Sequence, residues 1–319
     1  MKLQEALREI RFLKKKVQQL TKEVESIKTA SVEDPLPVEE KLRMRGIRIF
    51  RKNPTERLFF PPDLSPFHKT RFYEMMKKYS FRLVLRDTIK YQDRFRIQDL
   101  THYCSSRVVR GYCESLCEMG VITKNGRGKY RTRVSPLYSF GPTLEWFIAE
   151  MFKREFSSPA IYGVSVKNTP SGGDYDVMAS WNQRLVYVEV KSSPPKGIEQ
   201  NEISTFFSRM GEILPDVAFL FNDTQLRMKD KLVVMFEEEL ERRHGWESKT
   251  LYPVERLFEE LFHVQNHVFI VNSRKDVVEN FEICLKHYLR YGTRSPSCLP
   301  NGERKKVRGT SSREPRYEK

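Results

Sequence analysis

Two apolar segments of the chain carry acidic residues and a lysine at a short, fixed spacing. The segment RLVYVEVKS contains Glu189 and Lys191, and the segment GGDYDVMAS contains Asp176, thirteen residues before Glu189. Because side chains alternate along a β-strand, Glu189 and Lys191 would share one face while the neighbouring valines fill a core on the other. Carboxylates beside a lysine are residue types that bind a divalent cation and activate water.

A hairpin turn at positions 182–183 would bring these groups together. The resulting register places Asp176 opposite Glu189, and it also places Asp174 opposite Lys191. Opposed residues in antiparallel strands share a face, with Cβ atoms roughly 5 Å apart. A slip of one residue would move every side chain to the other face, so the predicted cluster depends on this turn.

The predicted cluster has the composition of a metal site. Two facing carboxylates repel each other unless a cation lies between them, and hard oxygen ligands suit Mg²⁺, with Mn²⁺ as a substitute. We expect Asp176 and Glu189 to bind the metal, and Lys191 to position or activate a water. The alternative is a solvated hairpin edge that carries these charges by chance. No small-molecule cofactor is expected.

The sequence GGDYDVMASWNQRLVYVEVKSS resembles the core of the PD-(D/E)xK nuclease superfamily, which includes restriction endonucleases and archaeal Holliday junction resolvases. Asp176 matches the first acid of that motif, and the Glu189-Val190-Lys191 tripeptide matches (D/E)xK. Tyr175 stands where the motif has proline, a position that varies in the superfamily. The resemblance covers about residues 141–225 and implies a magnesium-dependent DNA endonuclease.

The preceding segment GPTLEWFIAEMFKREF is predicted to be a helix and resembles the leading helix of the same superfamily. The glutamate of that helix often joins the metal site, so the resemblance adds Glu145 to the catalytic residues and metal ligands. Glu150 is the competing candidate, but it lies about 140° around the helix from Glu145.

Later strands and helices in residues 137–292 predict a mixed sheet flanked by helices, in an α+β or α/β multidomain chain.

The charge of the chain is unevenly distributed. Net charge is +15 overall, and Lys and Arg outnumber Asp and Glu by 31 to 16 in residues 1–140. Residues 141–292 have 18 basic and 23 acidic residues, whereas the tail 293–319, predicted to be disordered, has 8 and 3. A basic front half joined to an acidic half is typical of a protein that holds a polyanion with one part and acts on it with another.

Hydropathy and cysteine content favour the cytoplasm, with nucleoid association in a bacterium or archaeon. No apolar run approaches the ~18 residues of a transmembrane helix, so no membrane partner is expected. The five cysteines are odd in number and widely spaced, and no signal peptide is recognisable, which indicates a reducing compartment.

Cys113 and Cys117 lie one helical turn apart, near His102 and Cys104, and could form a zinc cluster. Buried free thiols are the alternative.

Residues 67–136 are predicted to be a winged helix-turn-helix. We expect helices at 71–90, at 96–104 and from 105 to about 119, followed by a hairpin with a two-residue turn at Asn125-Gly126. The sequence SSRVVRGYCESLCEMGVITKNGRGKYRTR resembles the recognition helix and wing of that family. The resemblance implies DNA binding, although such domains also serve protein contacts.

Five basic residues are the candidate DNA contacts of this segment. Arg107 and Arg110 would lie near the amino end of the recognition helix, which is the end that enters a major groove. Arg127, Lys129 and Arg131 would lie on the wing. Two alternatives remain open: a DNA-binding regulator or scaffold whose nuclease-like domain is not used, and an RNA-processing nuclease.

Residues 1–30 show heptad spacing of apolar residues and are predicted to be a coiled-coil helix. The a positions include the β-branched Ile10, Val17 and Val24, and leucine is the most frequent residue at d, which favours a parallel homodimer. The alternative is an amphipathic helix that packs on its own domain.

Residues 31–66 contain six prolines mixed with Arg and Lys and are predicted to be an extended basic connector.

Deletion of residues 1–30 is therefore expected to convert a dimer into a monomer. Four heptads form a coil of only roughly 42 Å, so the association should depend on protein concentration. Sedimentation of the full chain and of the deletion variant measures both masses. Equal masses in solution would mean that the heptad stripe does not set the oligomeric state.

Overall fold

A computed structural model describes residues 13–20, 35–167 and 169–292 of the chain. Its strands are β1 (Ile49–Arg51), β2 (Ile122–Lys124), β3 (Tyr130–Thr132), β4 (Ala160–Val166), β5 (Asp174–Trp181), β6 (Arg184–Lys191), β7 (Val217–Asn222), β8 (Val254–Phe258), β9 (Leu261–Val264) and β10 (Val268–Asn272). Its helices are α1 (13–20), α2 (Val38–Met44), α3 (Pro66–Met76), α4 (Tyr79–Lys90), α5 (Ser106–Glu118), α6 (Gly141–Glu155), α7 (Gln200–Ile213), α8 (Val234–His244), α9 (Ser248–Leu251) and α10 (Val277–His287).

Eight strands form one mixed sheet in the order β1-β4-β5-β6-β7-β10-β9-β8, and β2 pairs with β3 in a separate hairpin. The three central strands β6, β7 and β10 run parallel, and all other pairings are antiparallel. Most residues of the central strands are apolar because both faces of these strands are covered, and the polar exceptions lie mainly at the strand ends. The mixed sheet flanked by helices that the sequence predicts is therefore present.

Each face of the sheet has its own hydrophobic core. On the first face, the valines of β6 and the phenylalanines of β7 pack with α6 and α10. On the second face, Leu185 and Tyr187 of β6 pack with α2, α7 and α8. The predicted division of β6 into a valine face and a face that carries Glu189 is therefore correct in this structure.

The prediction of an extended connector at 31–66 is wrong for the residues that the structure describes. Helix α2 packs in the second core, and β1 pairs with β4 as the edge strand of the sheet. Leu58, Phe59 and Phe60 are each at most 2% exposed. Burial of these apolar side chains is worth several kcal/mol, which outweighs the extended preference of the prolines around them.

The helical region between residues 66 and 118 also differs in detail from its prediction. The single helix expected at 71–90 is two helices, α3 and α4, separated at Lys77-Lys78. The helix expected at 96–104 is a short 3₁₀ turn, Ile97–Leu100. Helix α5 begins where the sequence predicts it, because the Ser105 hydroxyl accepts a hydrogen bond from the Val108 amide.

The β2–β3 hairpin is present, but its turn is longer than the two-residue turn predicted at Asn125-Gly126. Lys124 pairs with Tyr130, which leaves five residues in the loop. The Asn125 side chain accepts hydrogen bonds from the amides of Arg127 and Lys129, and Gly128 adopts the positive φ of 69° that the loop requires. Local side-chain bonding by Asn125 thus replaces the tighter turn.

The helical region and the sheet share the first core without a break. That core contains Phe72 of α3 and Leu116 of α5 together with Val188 of β6. Aromatic rings cross the boundary, since Tyr73 lies 5.5 Å from Phe147 of α6 between ring centroids. The predicted domains 67–136 and 137–292 therefore form one packed unit in this structure.

A buried ion pair joins the same two regions. Asp223 follows β7 and is fully buried, and one of its oxygens accepts hydrogen bonds from Arg82 of α4 at 2.9 and 3.0 Å. Its carboxylate also accepts from Arg86 and Ser273. Burial alone would raise the pKa of Asp223, but the two guanidinium groups outweigh it and lower that pKa.

Several predictions concern residues outside the described ranges. The heptad segment 1–30 is described only at 13–20, which is helical with Leu13, Val17 and Leu20 more than half exposed. The tail 293–319 lies entirely outside. Within the described ranges, no helix has both the length and the apolar character needed to cross a membrane.

Replacing Asp223 with Asn should strongly destabilise the fold. The substitution leaves Arg82 buried without a counter-charge, and breaking a buried pair in this way costs about 3–5 kcal/mol. Asp230→Asn is the matched control, because Asp230 pairs with Arg227 at 3.6 Å in an exposed position and such pairs contribute ~0–1 kcal/mol. Urea unfolding measures both losses. Equal losses in the two variants would contradict the stabilising role of the buried pair.

Candidate active site

The pairing of β4 with β5 is interrupted at the centre of the candidate site. Tyr162 pairs with Val177 and Val164 pairs with Tyr175, but the intervening residues Gly163 and Asp176 do not form a paired position. The strands also exchange faces at this point, because Tyr162 and Val177 belong to the first core whereas Val164 and Tyr175 belong to the second. The interruption places the Asp176 carboxylate at the sheet surface.

Gly163 makes this interruption possible. Its φ of 53° is in the left-handed region, and a Cβ atom there would lie 2.7 Å from the ring of Pro54. The same Cβ would lie 3.8 Å from a carboxylate oxygen of Glu145, an ordinary contact distance, so Gly163 lies directly beside the acid that α6 contributes. The sequence offered a glycine within an apolar strand as a signal of this feature.

The β5–β6 hairpin has the predicted turn. Asn182 and Gln183 both have positive φ, as a two-residue type I′ turn requires, and Trp181 pairs with Arg184. The register continues to Val177 opposite Val188 and ends there. The expected opposed pairs, Asp176 with Glu189 and Asp174 with Lys191, are therefore not formed.

Asp176 instead closes the end of the hairpin with its side chain. Its carboxylate accepts a hydrogen bond from the backbone amide of Val190 at 2.7 Å. This bond replaces a strand-to-strand bond and fixes the acid beside the Glu189-Val190-Lys191 tripeptide. Asp176 and Glu189 therefore come together, but through a side-chain contact with the backbone and not through strand pairing.

An open cavity of about 320 Å³ contains the predicted catalytic residues. It is lined by Glu145, Asp174, Asp176, Glu189, Val190, Lys191, Asn201, Glu202, Thr205 and Arg209. These residues come from α6, β5, β6 and α7, so four separate elements build one polar site. All four residues that the sequence proposed as catalytic thus line the same cavity.

Glu189 is the most heavily hydrogen-bonded acid in this cavity. Arg209 Nη1 lies 3.3 Å from its Oε1 and 3.0 Å from its Oε2. Lys191 Nζ lies 3.1 Å from Oε1, and the Tyr187 hydroxyl donates to Oε2. Two cations and a hydroxyl thus surround a carboxylate of which only 3% is exposed, and charge-assisted contacts of this kind are strong.

Glu145 and Asp176 have less compensating charge than Glu189. Burial and the charges of Glu189 and Asp174 raise the pKa of Glu145 to about 8. Burial and the charges of Glu189 and Glu145 raise the pKa of Asp176 well above its ordinary value. The site therefore holds more carboxylates than its own cations can neutralise, and protons make up the difference.

Lys191 remains charged in this environment. Burial alone would lower its pKa, but the carboxylates of Glu189, Glu202 and Asp176 outweigh it and raise the pKa. The ammonium lies 2.8 Å from a Glu202 oxygen. Lys191 is thus held between two acids, one on its own strand and one on the first turn of α7.

Asp174 lies at the rim of the cavity. The Ser165 hydroxyl donates a hydrogen bond to it, and Arg57 lies 4.0 Å from its carboxylate. Arg57 and Asp174 are more than one third exposed, so this contact is solvated. Asp174 therefore contributes negative charge near Glu145 and has a buried hydroxyl, but no buried cation, as its partner.

Sequence analysis missed Arg209, Glu202 and Tyr187 as members of the site. Tyr187 shares a face with Glu189 at a spacing of two on β6, which strand alternation would have shown. Glu202 forms a capping box with Glu199 at the start of α7, a local signal readable from the sequence. Arg209 carries no such signal, because only the packing of α7 on the sheet brings it to Glu189.

The donors fit a hard divalent cation in chemical type, since the three acids offer carboxylate oxygens and two of them lack counter-charge. Within residues 13–20, 35–167 and 169–292, however, no group of three His, Cys, Asp or Glu side chains is arranged to hold a metal. In addition, Arg209, Lys191 and Tyr187 contact the oxygens of Glu189 that a metal would use. The same result gives no support to the zinc alternative for the described cysteines, of which Cys113 is buried in the first core.

The predicted DNA contacts lie apart from this cavity. Arg107 and Arg110 are exposed on α5, and Arg127 and Arg131 are exposed on the hairpin with the partly buried Lys129 between them. Sequence analysis missed the exposed Arg94 and Arg96, which adjoin the hairpin because Phe95 between them bridges to Tyr130. Desolvation, and after it the charges of Arg94 and Arg96, lower the pKa of Lys129.

Comparison with known proteins identifies no family for this chain. No protein-family model matches it, and no curated protein matches it. Among solved structures, protein VC1899 from Vibrio cholerae is 12% identical over 82% of this chain and 62% of that one, with a TM-score of 0.47. Can2 from Sulfobacillus thermosulfidooxidans, solved in complex with cyclic tetra-adenylate, is 14% identical over 60% and 52%, with a TM-score of 0.36. The chain spans less than two thirds of either protein, and similarities of this size carry no inference about fold or activity.

The raised pKa of Glu145 predicts how stability depends on pH. The folded protein keeps a proton on Glu145 up to about pH 8, whereas the unfolded chain releases it near pH 4. The stabilisation is therefore complete below about pH 4 and is lost as pH rises towards 8. One proton of difference corresponds to roughly 1.4 kcal/mol per pH unit at most.

Glu145→Gln is expected to flatten this decline, because the amide imitates the protonated acid at every pH. Urea unfolding between pH 5 and pH 8.5 measures the slope in both proteins. Glu150→Gln is the control, since Glu150 lies on the same helix but pairs with Lys153 and Arg154 at the surface. An unchanged slope in Glu145→Gln would show that this acid does not hold the proton.

Proposed function

We propose that the chain is a nuclease that depends on a divalent metal and hydrolyses phosphodiester bonds in DNA. The observation that carries the proposal is the presence of Glu145, Asp176 and Glu189 with Lys191 in one open cavity. Acids that cannot all ionise without a cation, next to a lysine that stays charged, suit the attack of water on a phosphate. The resemblance to the PD-(D/E)xK motif supports the same reaction.

The three acids would hold Mg²⁺ or Mn²⁺, which when bound supplies a Lewis acid for the phosphate and lowers the pKa of a bound water. Lys191 has three ammonium protons, of which contacts with Glu189 and Glu202 use two. The remaining N–H can donate a hydrogen bond that positions the attacking water or stabilises a phosphate oxygen. The Val190 amide holds Asp176 in place during this step.

A Lys191→Ala variant should lose DNA cleavage by at least about a hundredfold and bind DNA nearly as tightly as the wild type. The assay uses supercoiled, linear, branched and single-stranded DNA, and RNA, with Mg²⁺ or with a chelator. Lys196→Ala is the control, because Lys196 is exposed five residues later. Full cleavage by Lys191→Ala, or cleavage in chelator, would contradict the proposed site.

A second candidate function is a DNA-binding regulator or scaffold that does not use the site for cutting. The observation that favours it is the complete occupation of Glu189 by protein donors, which leaves no described metal group. The same assay separates the two functions. Binding of DNA without cleavage of any substrate, in Mg²⁺ and in Mn²⁺, would favour the regulator.

We further propose that residues 67–136 act as a winged helix that binds DNA. The exposed arginines of α5 and of the hairpin form a basic surface that also includes Arg94 and Arg96. Glu118, which would repel phosphates, is paired with Arg71 at 2.6 Å. This pairing neutralises part of the negative charge of α5 and so favours a DNA contact along the helix.

Reversing Arg107 and Arg110 to Glu should weaken DNA binding and make it less sensitive to salt. Loss of two phosphate contacts reduces the slope of log affinity against log salt by roughly 2. The control reverses Lys249 and Lys286, two exposed lysines of the acidic half, which keeps the change in net charge the same. A similar loss of affinity and slope in both double variants would mean that net charge, and not the α5 surface, determines binding.

A further inference from the structure

The oxygens of Glu189 have no free lone pair in this structure. Each carboxylate oxygen offers two acceptor positions. Oε1 forms a salt bridge with the Lys191 ammonium at 3.1 Å and accepts a hydrogen bond from Arg209 at 3.3 Å. Oε2 accepts from Arg209 at 3.0 Å and from the Tyr187 hydroxyl. A metal ion can therefore bind Glu189 only if one of these three donors leaves.

Tyr187 and Lys191 are poorly suited to leave. The Tyr187 ring is fully buried in the second core, 5.8 Å from Tyr175 and 5.9 Å from Phe206 between ring centroids. Lys191 is held at its ammonium by Glu202 as well as by Glu189. Packing thus fixes the Tyr187 hydroxyl at Glu189, whereas Lys191 is retained by its second acid, Glu202.

Arg209 is the donor that can leave. It reaches Glu189 from α7, and it also interacts with the Tyr187 hydroxyl, with the Gly172 carbonyl through a 3.4 Å hydrogen bond, and with the ring of Tyr175, 5.4 Å away. Its Nε atom is buried without a hydrogen-bond partner, so this position costs free energy. The carbonyl and the ring lie outside the acidic cluster and could retain the guanidinium after it releases Glu189.

We propose that Arg209 is an internal counter-ion that competes with the divalent cation for Glu189. The guanidinium supplies positive charge at the acid whose oxygens a metal needs, and it holds the site in a metal-free arrangement. This inference rests on the proposed metal-dependent function. By linkage, whatever Arg209 contributes to the metal-free site lowers the affinity of the metal by the same factor.

The test measures Mn²⁺ binding to the full chain in the absence of DNA, by the paramagnetic resonance signal of free Mn²⁺ and by calorimetry. Arg209→Gln removes the charge and keeps much of the side-chain volume, and it should bind Mn²⁺ about tenfold more tightly than the wild type. Arg209→Lys makes fewer bonds to Glu189 and should bind about threefold more tightly. Arg43→Gln, an exposed arginine on α2, is the matched control and should leave the affinity unchanged.

Unchanged or weaker Mn²⁺ binding in Arg209→Gln would overturn the inference. If Arg209→Gln does not fold, as judged by its cooperative melting, the Arg209→Lys result decides in the same way. Absence of Mn²⁺ binding in the wild type and in both variants overturns the inference and the metal dependence together. Tighter Mn²⁺ binding by Arg209→Gln without any DNA cleavage supports the inference and contradicts only the nuclease activity.

Discussion

A carboxylate that has no access to solvent must be paired, and the pairing of Asp223 determines how the parts of this protein fit together. Its partners Arg82 and Arg86 come from α4, and Ser273 follows β10. Its backbone amide donates to the carbonyl of Lys191 at 2.8 Å. Asp223 therefore joins the helical region to the sheet. It also fixes the end of β6 at Lys191, whose side chain lines the cavity.

The cavity contains more carboxylates than positively charged groups, and this imbalance determines which acids keep their protons. Three acids approach one another because the broken β4–β5 pairing and Gly163 open the surface to α6. Lys191 and Arg209 neutralise Glu189, which leaves Glu145 and Asp176 to retain protons. Such an arrangement stores unfavourable electrostatic energy at a solvent-accessible position, and sites of this kind are more often functional than structural.

The sequence was sufficient for features that depend on neighbours along the chain. Strand alternation and the turn at Asn182-Gln183 predicted the hairpin register, and the apolar spacing of α6 predicted the helix that carries Glu145. Gly163 was a local signal of an irregular strand, but the missing pair opposite it at Asp176 could not be predicted, because it also depends on how β4 pairs with β5 and on Pro54. The contact of Arg209 with Glu189 depends likewise on how α7 packs across the sheet.

The edge strands of the sheet also could not be predicted from short stretches of sequence. Strand β1 was hidden in a segment rich in proline and arginine, and its pairing with β4 spans more than one hundred residues of sequence. The β8–β9 hairpin was missed because β8 is largely exposed and lacks a regular alternation of buried residues. Loop closure over such distances is governed by the whole core, so composition within a short window does not reveal it.

The continuous first core has a consequence for how this protein can change during evolution. Helices α3 to α5 contribute buried rings and methyl groups to the same cluster as β6, β7 and α10. A recombination event near residue 136 would leave apolar surface uncovered on both products, so neither half could be exchanged as a ready-made module. The segment that carries the basic surface and the segment that carries the acidic cavity must then diversify together, through substitutions that keep their common interior filled.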